Sequence, residues 1–358
     1  MKKKAIKLLK ELSEAHAAPG AEQDVRNIFK RELKTPISYD RSGSIIHEIK
    51  SAKGPRVMIT GHMDEVGFAV QAIKSNGFIA FTPTGGWWEH TLLAQRVSIL
   101  NSDGKKITGV ISSIPPHFLS ADQRKKIMPM DKMFIDIGAS SRKEVTNDFN
   151  IQLGDSIVPE SLFSNFNHPD LYIGKAFDNR VGIAATIQAA QALAKIKTNN
   201  SILAVGTVQE EVGCRGATTA ANLLKPDVAI ILEGPPADDT PGFDADIAQG
   251  KLGSGVQIRL MDPTAIMNKT FRDLVISTAE KAKIPYQVAV RRSGGTDAKS
   301  IHLSNNGVAS IVLGVPARYI HTHNSIININ DYISCLKLTI ELAKCLNTKT
   351  VNTLYNYE

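Results

Sequence analysis

The stretch Ile202-Leu203-Ala204-Val205-Gly206-Thr207-Val208 is an almost unbroken apolar run, and it ends in Gln209-Glu210-Glu211. A short run without polar alternation predicts a strand buried on both faces. A helical pattern at about 180–195 precedes it, and a small-residue helix at 216–224 follows. The alternation continues with strand 228–232, strand 256–260, helix 270–283, strand 287–290, helix 296–304, strand 309–313 and a closing helix at 331–346. On the N-terminal side, an amphipathic helix and a helix at 21–34 precede strands at 44–49 and 56–60. Strands and helices in this order predict an α/β fold, with a mixed, mostly parallel sheet covered by helices on both faces.

From about 70 to 165 the texture differs. Short runs at 97–100, 107–111 and 133–137 are separated by turn signals such as Ser75-Asn76-Gly77, Asp103-Gly104 and Pro115-Pro116. This predicts a small β-rich module. Because the 56–60 strand has the same buried texture as the later ones, residues 1–69 and 166–358 are expected to form one discontinuous domain. Residues 70–165 are then an insertion.

The 358 residues carry 42 basic and 35 acidic side chains, a formal +7, with 42% hydrophobic and 22% charged residues. These are globular values that exclude disorder and coiled coil. The charge is spread thinly rather than gathered on one stripe, which argues against a nucleic-acid partner. Three cysteines, Cys214, Cys335 and Cys345, are too few for a disulfide framework. No apolar run reaches the roughly 18 residues of a membrane helix, and Lys7, Lys10 and Glu11 interrupt the N-terminal apolar residues. The expectation is a cytoplasmic protein with no membrane association.

Ligands of open α/β sheets bind beyond the carboxyl ends of the strands. Metal-type residues recur there. The 56–60 strand runs into His62 and Asp64, the 202–208 strand into Glu210 and Glu211, and the 228–232 strand into Glu233. The 309–313 strand is followed by His321 and His323, and Asp178 sits just before the helix at 180. Any one of these is an ordinary surface pair or helix cap; their repetition at one end of the sheet is not. Two imidazoles and three carboxylates can hold a pair of divalent cations that share one carboxylate, with a further carboxylate free as general base. Glu210 and Glu211 can supply one residue for each task if the strand breaks beside them, and Gly213 marks a break.

Gly61-His62-Met63-Asp64-Glu65-Val66-Gly67, Ala176-Phe177-Asp178-Asn179-Arg180, Val208-Gln209-Glu210-Glu211-Val212-Gly213, Gly294-Gly295-Thr296-Asp297-Ala298 and Arg318-Tyr319-Ile320-His321 occur in this order. Together they resemble the motifs of the tetrahedral (TET) aminopeptidases, which include glutamyl and deblocking aminopeptidases and some members named endoglucanase. The similarity spans nearly the whole chain, including Ile114-Pro115-Pro116-His117 in the insertion. It implies that Asp178 bridges two metal ions, with His62 and Glu233 completing one and Glu211 and His321 the other. Glu210 becomes the general base and Asp64 the residue that orients His62. The implied activity is removal of N-terminal residues from short peptides. The implied cofactor is two zinc ions, with cobalt or manganese as alternatives. The insertion is expected to build dimers that assemble into a tetrahedral dodecamer.

The chain departs from that family in three places. Glu233 stands where aspartate is more common, Thr322-His323-Asn324 replaces a usual Ser-Pro, so that His323 competes with His321 as a ligand, and Cys214 replaces an aliphatic residue. Gly294, Gly295, Thr296 and Asp297 lack the lysine and glycine spacing of a phosphate loop and are expected to approach the substrate through their backbone. Arg291, with Arg292, is a candidate to attract an acidic side chain. Trp87-Trp88 reads equally as packing or as a substrate contact, and His117, with no chemical role assigned, reads as structural. A metal-dependent deacylase or carboxypeptidase on the same fold is the nearest rival. An endoglucanase would leave the five-ligand set without a purpose.

Overall fold

The computed structural model describes residues 2–51, 53–196 and 198–358. Its centre is the expected mixed sheet. Strands Ser201–Thr207, Arg56–His62, Val228–Glu233 and Ala309–Gly314 lie side by side and parallel. Antiparallel strands Ile45–Ile49 and Val256–Asp262 flank them, and Tyr286–Val290 pairs parallel with the latter. All seven residues of Ser201–Thr207 and all six of Val228–Glu233 are buried, which is what their continuous apolar texture requires.

Helices cover both faces. Lys2–Glu14 buries Ala5, Leu8, Leu9 and Leu12, an i, i+3, i+4, i+7 stripe, and exposes Lys3, Lys4, Lys7 and Lys10. Phe177–Leu193 is different, because it is buried almost all round. Gly182, Ala184, Ala185, Ala189 and Ala190 keep it thin enough to lie directly on the sheet. A Cβ on Gly182 would come within 2.4 Å of the Leu232 carbonyl oxygen, and one on Gly61 within 2.7 Å of the Gly182 carbonyl carbon. Glycine is therefore required on both sides of that contact.

Six strands between Gly67 and Pro159 close into a small barrel with its own core, including Phe68, Phe81, Val97, Ile99, Ile135 and Ile157. Ser164–Asn165 and Leu171–Gly174 pair in a separate four-stranded sheet with Ala317–Arg318 and Ser325–Asn328. Sequence periodicity did not reveal that sheet, because its strands are two to four residues long. The helix expected at 296–304 contracts to Ala298–Ile301, and the Ile329–Cys345 helix is followed by another at Thr348–Leu354. Among the described residues no helix is long and apolar enough to cross a membrane.

Gly182→Ala should lower the free energy of unfolding by about 1–3 kcal/mol, since neither the Leu232 carbonyl nor Asn179 can move without disturbing the sheet. The midpoint of chemical denaturation measures this, and an unchanged midpoint would refute the close-contact argument.

Candidate metal centre

His62 and Glu233 are the last residues of neighbouring parallel strands, so their side chains leave the sheet at the same edge. Ser201–Thr207 ends at that edge too. The chain then turns at Gln209, whose φ of +56° is left-handed. This break comes before the two glutamates rather than at Gly213, and it lets the neighbouring Glu210 and Glu211 enter one site. The Asp64 carboxylate fixes the turn: the Glu210 and Glu211 N–H groups each donate to one of its oxygens at 3.0 Å.

Asp178 opens the Phe177–Leu193 helix in a non-helical conformation, joined to Asn179 by a cis peptide bond. Asn179 holds the position by donating to the Leu232 carbonyl at 2.7 Å and accepting from the Gly182 N–H at 2.9 Å. Asp178 thus lies between two clusters. Its Oδ1 is 3.2 Å from His62 Nε2, and its Oδ2 is 3.4 Å from His321 Nε2. Glu233 Oε2 lies 3.6 Å from His62 Nε2, and Glu211 Oε2 lies 3.4 Å from His321 Nε2. His62, Asp178 and Glu233 form one group able to converge on a cation, and Asp178, Glu211 and His321 another. Glu210 approaches His62 Nε2 at 3.9 Å.

The ring orientations suit metal binding. His62 Nδ1 is 3.0 Å from the main-chain oxygen of Asp64, and His321 Nδ1 is 2.8 Å from that of Gly86. A carbonyl only accepts, so each Nδ1 carries the hydrogen and each neutral ring turns the Nε2 lone pair into the site. Asp64 therefore orients His62 through its backbone; its carboxylate, 3.6 Å from Nδ1, serves the glutamate turn instead. Glu211 Oε1 and Glu233 Oε1 are buried without hydrogen-bond partners. Two orphaned carboxylate oxygens beside two lone pairs fit a divalent cation and little else.

Electrostatics point the same way. Burial, then the charge of Asp178, pushes Glu211 up to about 8. Burial likewise holds Glu210 and Glu233 well above the usual carboxylate range. Burial opposes a charged His321, but Asp178 and Glu211 outweigh it and raise the ring to about 9. The cluster demands positive charge, and without a cation only its imidazoles can provide it.

A cavity of about 360 Å³ opens beside these groups, walled by Gly294, Gly295, Thr296, Arg291, Arg259, Lys299 and Cys214. Asp297 is buried behind the loop, where Thr207 Oγ1 donates to it at 2.5 Å. Arg291 pairs with Asp238 at 2.7 Å and the Pro236 carbonyl at 3.0 Å and keeps an unpartnered Nε. Sequence reasoning passed over Arg259, a buried cation in the apolar strand Val256–Asp262 that pairs with Asp262 at 3.2 Å and whose Nε has no partner. A lone arginine among Val256, Ile258 and Leu260 was the available signal. The Gly86 carbonyl, lent to His321 by the barrel, left none. His323 is not in either cluster: it is buried with its ring 5.9 Å from that of Trp87, and burial lowers its pKa to about 4. Trp87 stacks on Phe68 at 4.7 Å, and His117 is exposed.

Residues 43–338 match the family described as M42 glutamyl aminopeptidase. The glutamyl aminopeptidase of Lactococcus lactis is 35% identical over 354 residues, covering 98% of both chains. A TET aminopeptidase from a marine-sediment Thaumarchaeota archaeon is similar in structure, with a TM-score of 0.95 at 38% identity over 98% of this chain and 99% of that one. The TET1 peptidase of Pyrococcus horikoshii, which can assemble into a tetrahedron or a large octahedral shell, has a TM-score of 0.83 at 30% identity, covering 95% and 99%.

Proposed function

From the premise that this chain belongs to the M42 glutamyl aminopeptidase family and is a peptide-bond hydrolase, we propose that it is a cytoplasmic aminopeptidase that uses two divalent ions to remove N-terminal residues from short peptides. The observation that carries this reading is Asp178, whose two oxygens face two different histidine–glutamate pairs. His62 and Glu233 would hold one ion with Asp178, and His321 and Glu211 the other. Zinc suits such nitrogen and oxygen donors, and cobalt or manganese fits the same atoms. When bound, the ions would supply Lewis-acid polarisation of the scissile carbonyl and lower the pKa of water.

Glu210 lies outside both Asp178-centred groups, with its carboxylate at the cavity wall beside Cys214. It takes the proton of the attacking water and returns it to the leaving amine. Asp64 holds Glu210 and Glu211 in register through their backbone. The loop Gly294-Gly295-Thr296 lets a substrate backbone approach, with Asp297 behind it. Lys299 lines the cavity together with Arg259 and Arg291, which pair with Asp262 and Asp238 but each keep an unpartnered Nε, so the favoured N-terminal residue is acidic.

Residues 1–69 and 166–358 carry the chemistry, and 70–165 serve assembly. The insertion holds none of the ligands or the base, and it exposes Ile114 and Phe118, the latter 76% accessible. Such side chains suit a contact between copies, with dimers building a tetrahedral dodecamer whose interior admits only short peptides.

Glu210→Gln should keep both metals and lose about a hundredfold or more in turnover, with little change in KM. Glu211→Gln should lose metal first and be partly rescued by excess metal. Metal analysis beside kinetics decides this: metal loss in the Glu210 variant alone would reverse the assignments, and near-normal rates with full metal in both would refute the site. Arg259→Met should lower the glutamyl-to-leucyl ratio of kcat/KM about tenfold or more. Taking the ratio on one preparation cancels any loss of folded protein, and an unchanged ratio would remove Arg259 from substrate recognition. Sedimentation at micromolar concentration should show a large closed oligomer, and a monomer alone would refute the assembly role.

A further inference from the structure

Beside the two groups centred on Asp178, and one formed by His62, Glu210 and Glu211, lies a group that contains sulfur. Glu210, Cys214 and Asp297 each offer a donor atom, and the three atoms lie within 4.8 Å of one another. Cys214 opens the Arg215–Leu224 helix with a left-handed φ of +53°, which turns its side chain into the cavity. Its Sγ is 3.4 Å from Glu210 Oε1 and 3.4 Å from the Thr296 carbonyl oxygen. Asp297 is completely buried. Its Oδ2 accepts from Thr207, while its Oδ1 has no partner at all. A buried carboxylate oxygen left unpaired next to a thiol and a second carboxylate is an incomplete coordination sphere.

Charge supports a further cation. Asp64, Asp178, Glu210, Glu211, Glu233 and Asp297 carry −6 when ionised. Two divalent ions supply +4, which leaves −2 on these six carboxylates. The sulfur makes this group chemically distinct from its neighbours, whose donors are imidazole and carboxylate only. Thiolate selects zinc and cadmium over magnesium and calcium.

We propose that Cys214, Glu210 and Asp297 form a third, inhibitory cation site that takes up a thiophilic divalent ion present in excess over the two resident ones. Binding releases the thiol proton to solvent and changes no oxidation state. Occupation engages the Glu210 carboxylate and so removes the base; this inhibitory consequence rests on the reading of Glu210 given above, whereas the binding itself does not.

The test is a cadmium titration of the metal-loaded enzyme in a Cys345→Ser background, which removes the exposed thiol. One further cadmium per chain should bind, with the resident ions retained, an ultraviolet thiolate-to-cadmium band appearing and activity falling in parallel. Magnesium should produce neither change. In Cys214→Ala and in the near-isosteric Cys214→Ser the band should vanish. The cadmium concentration for half-inhibition, referred to each variant's own rate, should rise at least about tenfold. A band that persists in both variants, inhibition unchanged in both, or cadmium that merely displaces the resident ions would overturn the site. A full band without inhibition would overturn its inhibitory role, and the separate Glu210→Gln experiment then shows whether the base assignment is at fault.

Discussion

Six carboxylates, Asp64, Asp178, Glu210, Glu211, Glu233 and Asp297, meet at one edge of the central sheet with two imidazoles among them. Such a cluster resists desolvation, and burial drives several of the acids toward their neutral forms. The surrounding architecture supplies what holds them together. Three adjacent parallel strands end at the same level, so His62, Glu233 and the turn carrying Glu210 and Glu211 are delivered without long flexible arms. A helix of small residues presses against those strands and brings Asp178 between the two histidines.

The loops that carry the site are tied by a buried ion cluster of their own. Glu65 follows Asp64, and Arg180 lies two residues after Asp178. Arg180 Nη2 donates to Glu65 Oε1 at 2.8 Å, while Lys175 Nζ reaches both Glu65 oxygens at 2.6 and 2.7 Å. One carboxylate thus faces two cations, and burial lowers Lys175 to about 8. Removing one member of such a group strands charge in the interior, which makes it a firm joint between the His62–Asp64 turn and the start of the Asp178 helix.

The barrel is also less remote from the chemistry than its separate core suggests. Gly86 reaches back to fix the His321 ring, and Trp87 beside it donates to the Gly67 carbonyl at 3.0 Å. A change in the seating of the barrel therefore reaches the more exposed of the two histidines. His62, 1% accessible against 33% for His321, is shielded from it.

Much of this was legible in the residues themselves. Apolar continuity at 56–60, 202–208, 228–232 and 309–313 marked the central strands, because a strand buried on both faces has no polar period. His62, Glu210, Glu211, Glu233 and His321 were visible as polar residues following those runs, and parallel strands place such residues on a common edge. The sequence could not show which oxygen of Asp178 faces which histidine, that Asp64 serves the glutamates by its carboxylate and His62 by its backbone, or that His323 packs against Trp87 instead of joining the cluster. Nor could it bring Arg259 to the cavity wall or the Gly86 carbonyl to His321. Those choices depend on ring orientation, left-handed turns at Gln209 and Cys214 and contacts between segments over a hundred residues apart, none of which leaves a period in the chain. The tertiary structure alone decided them, because hydrogen-bond direction and shared burial exist only once the distant segments are packed together.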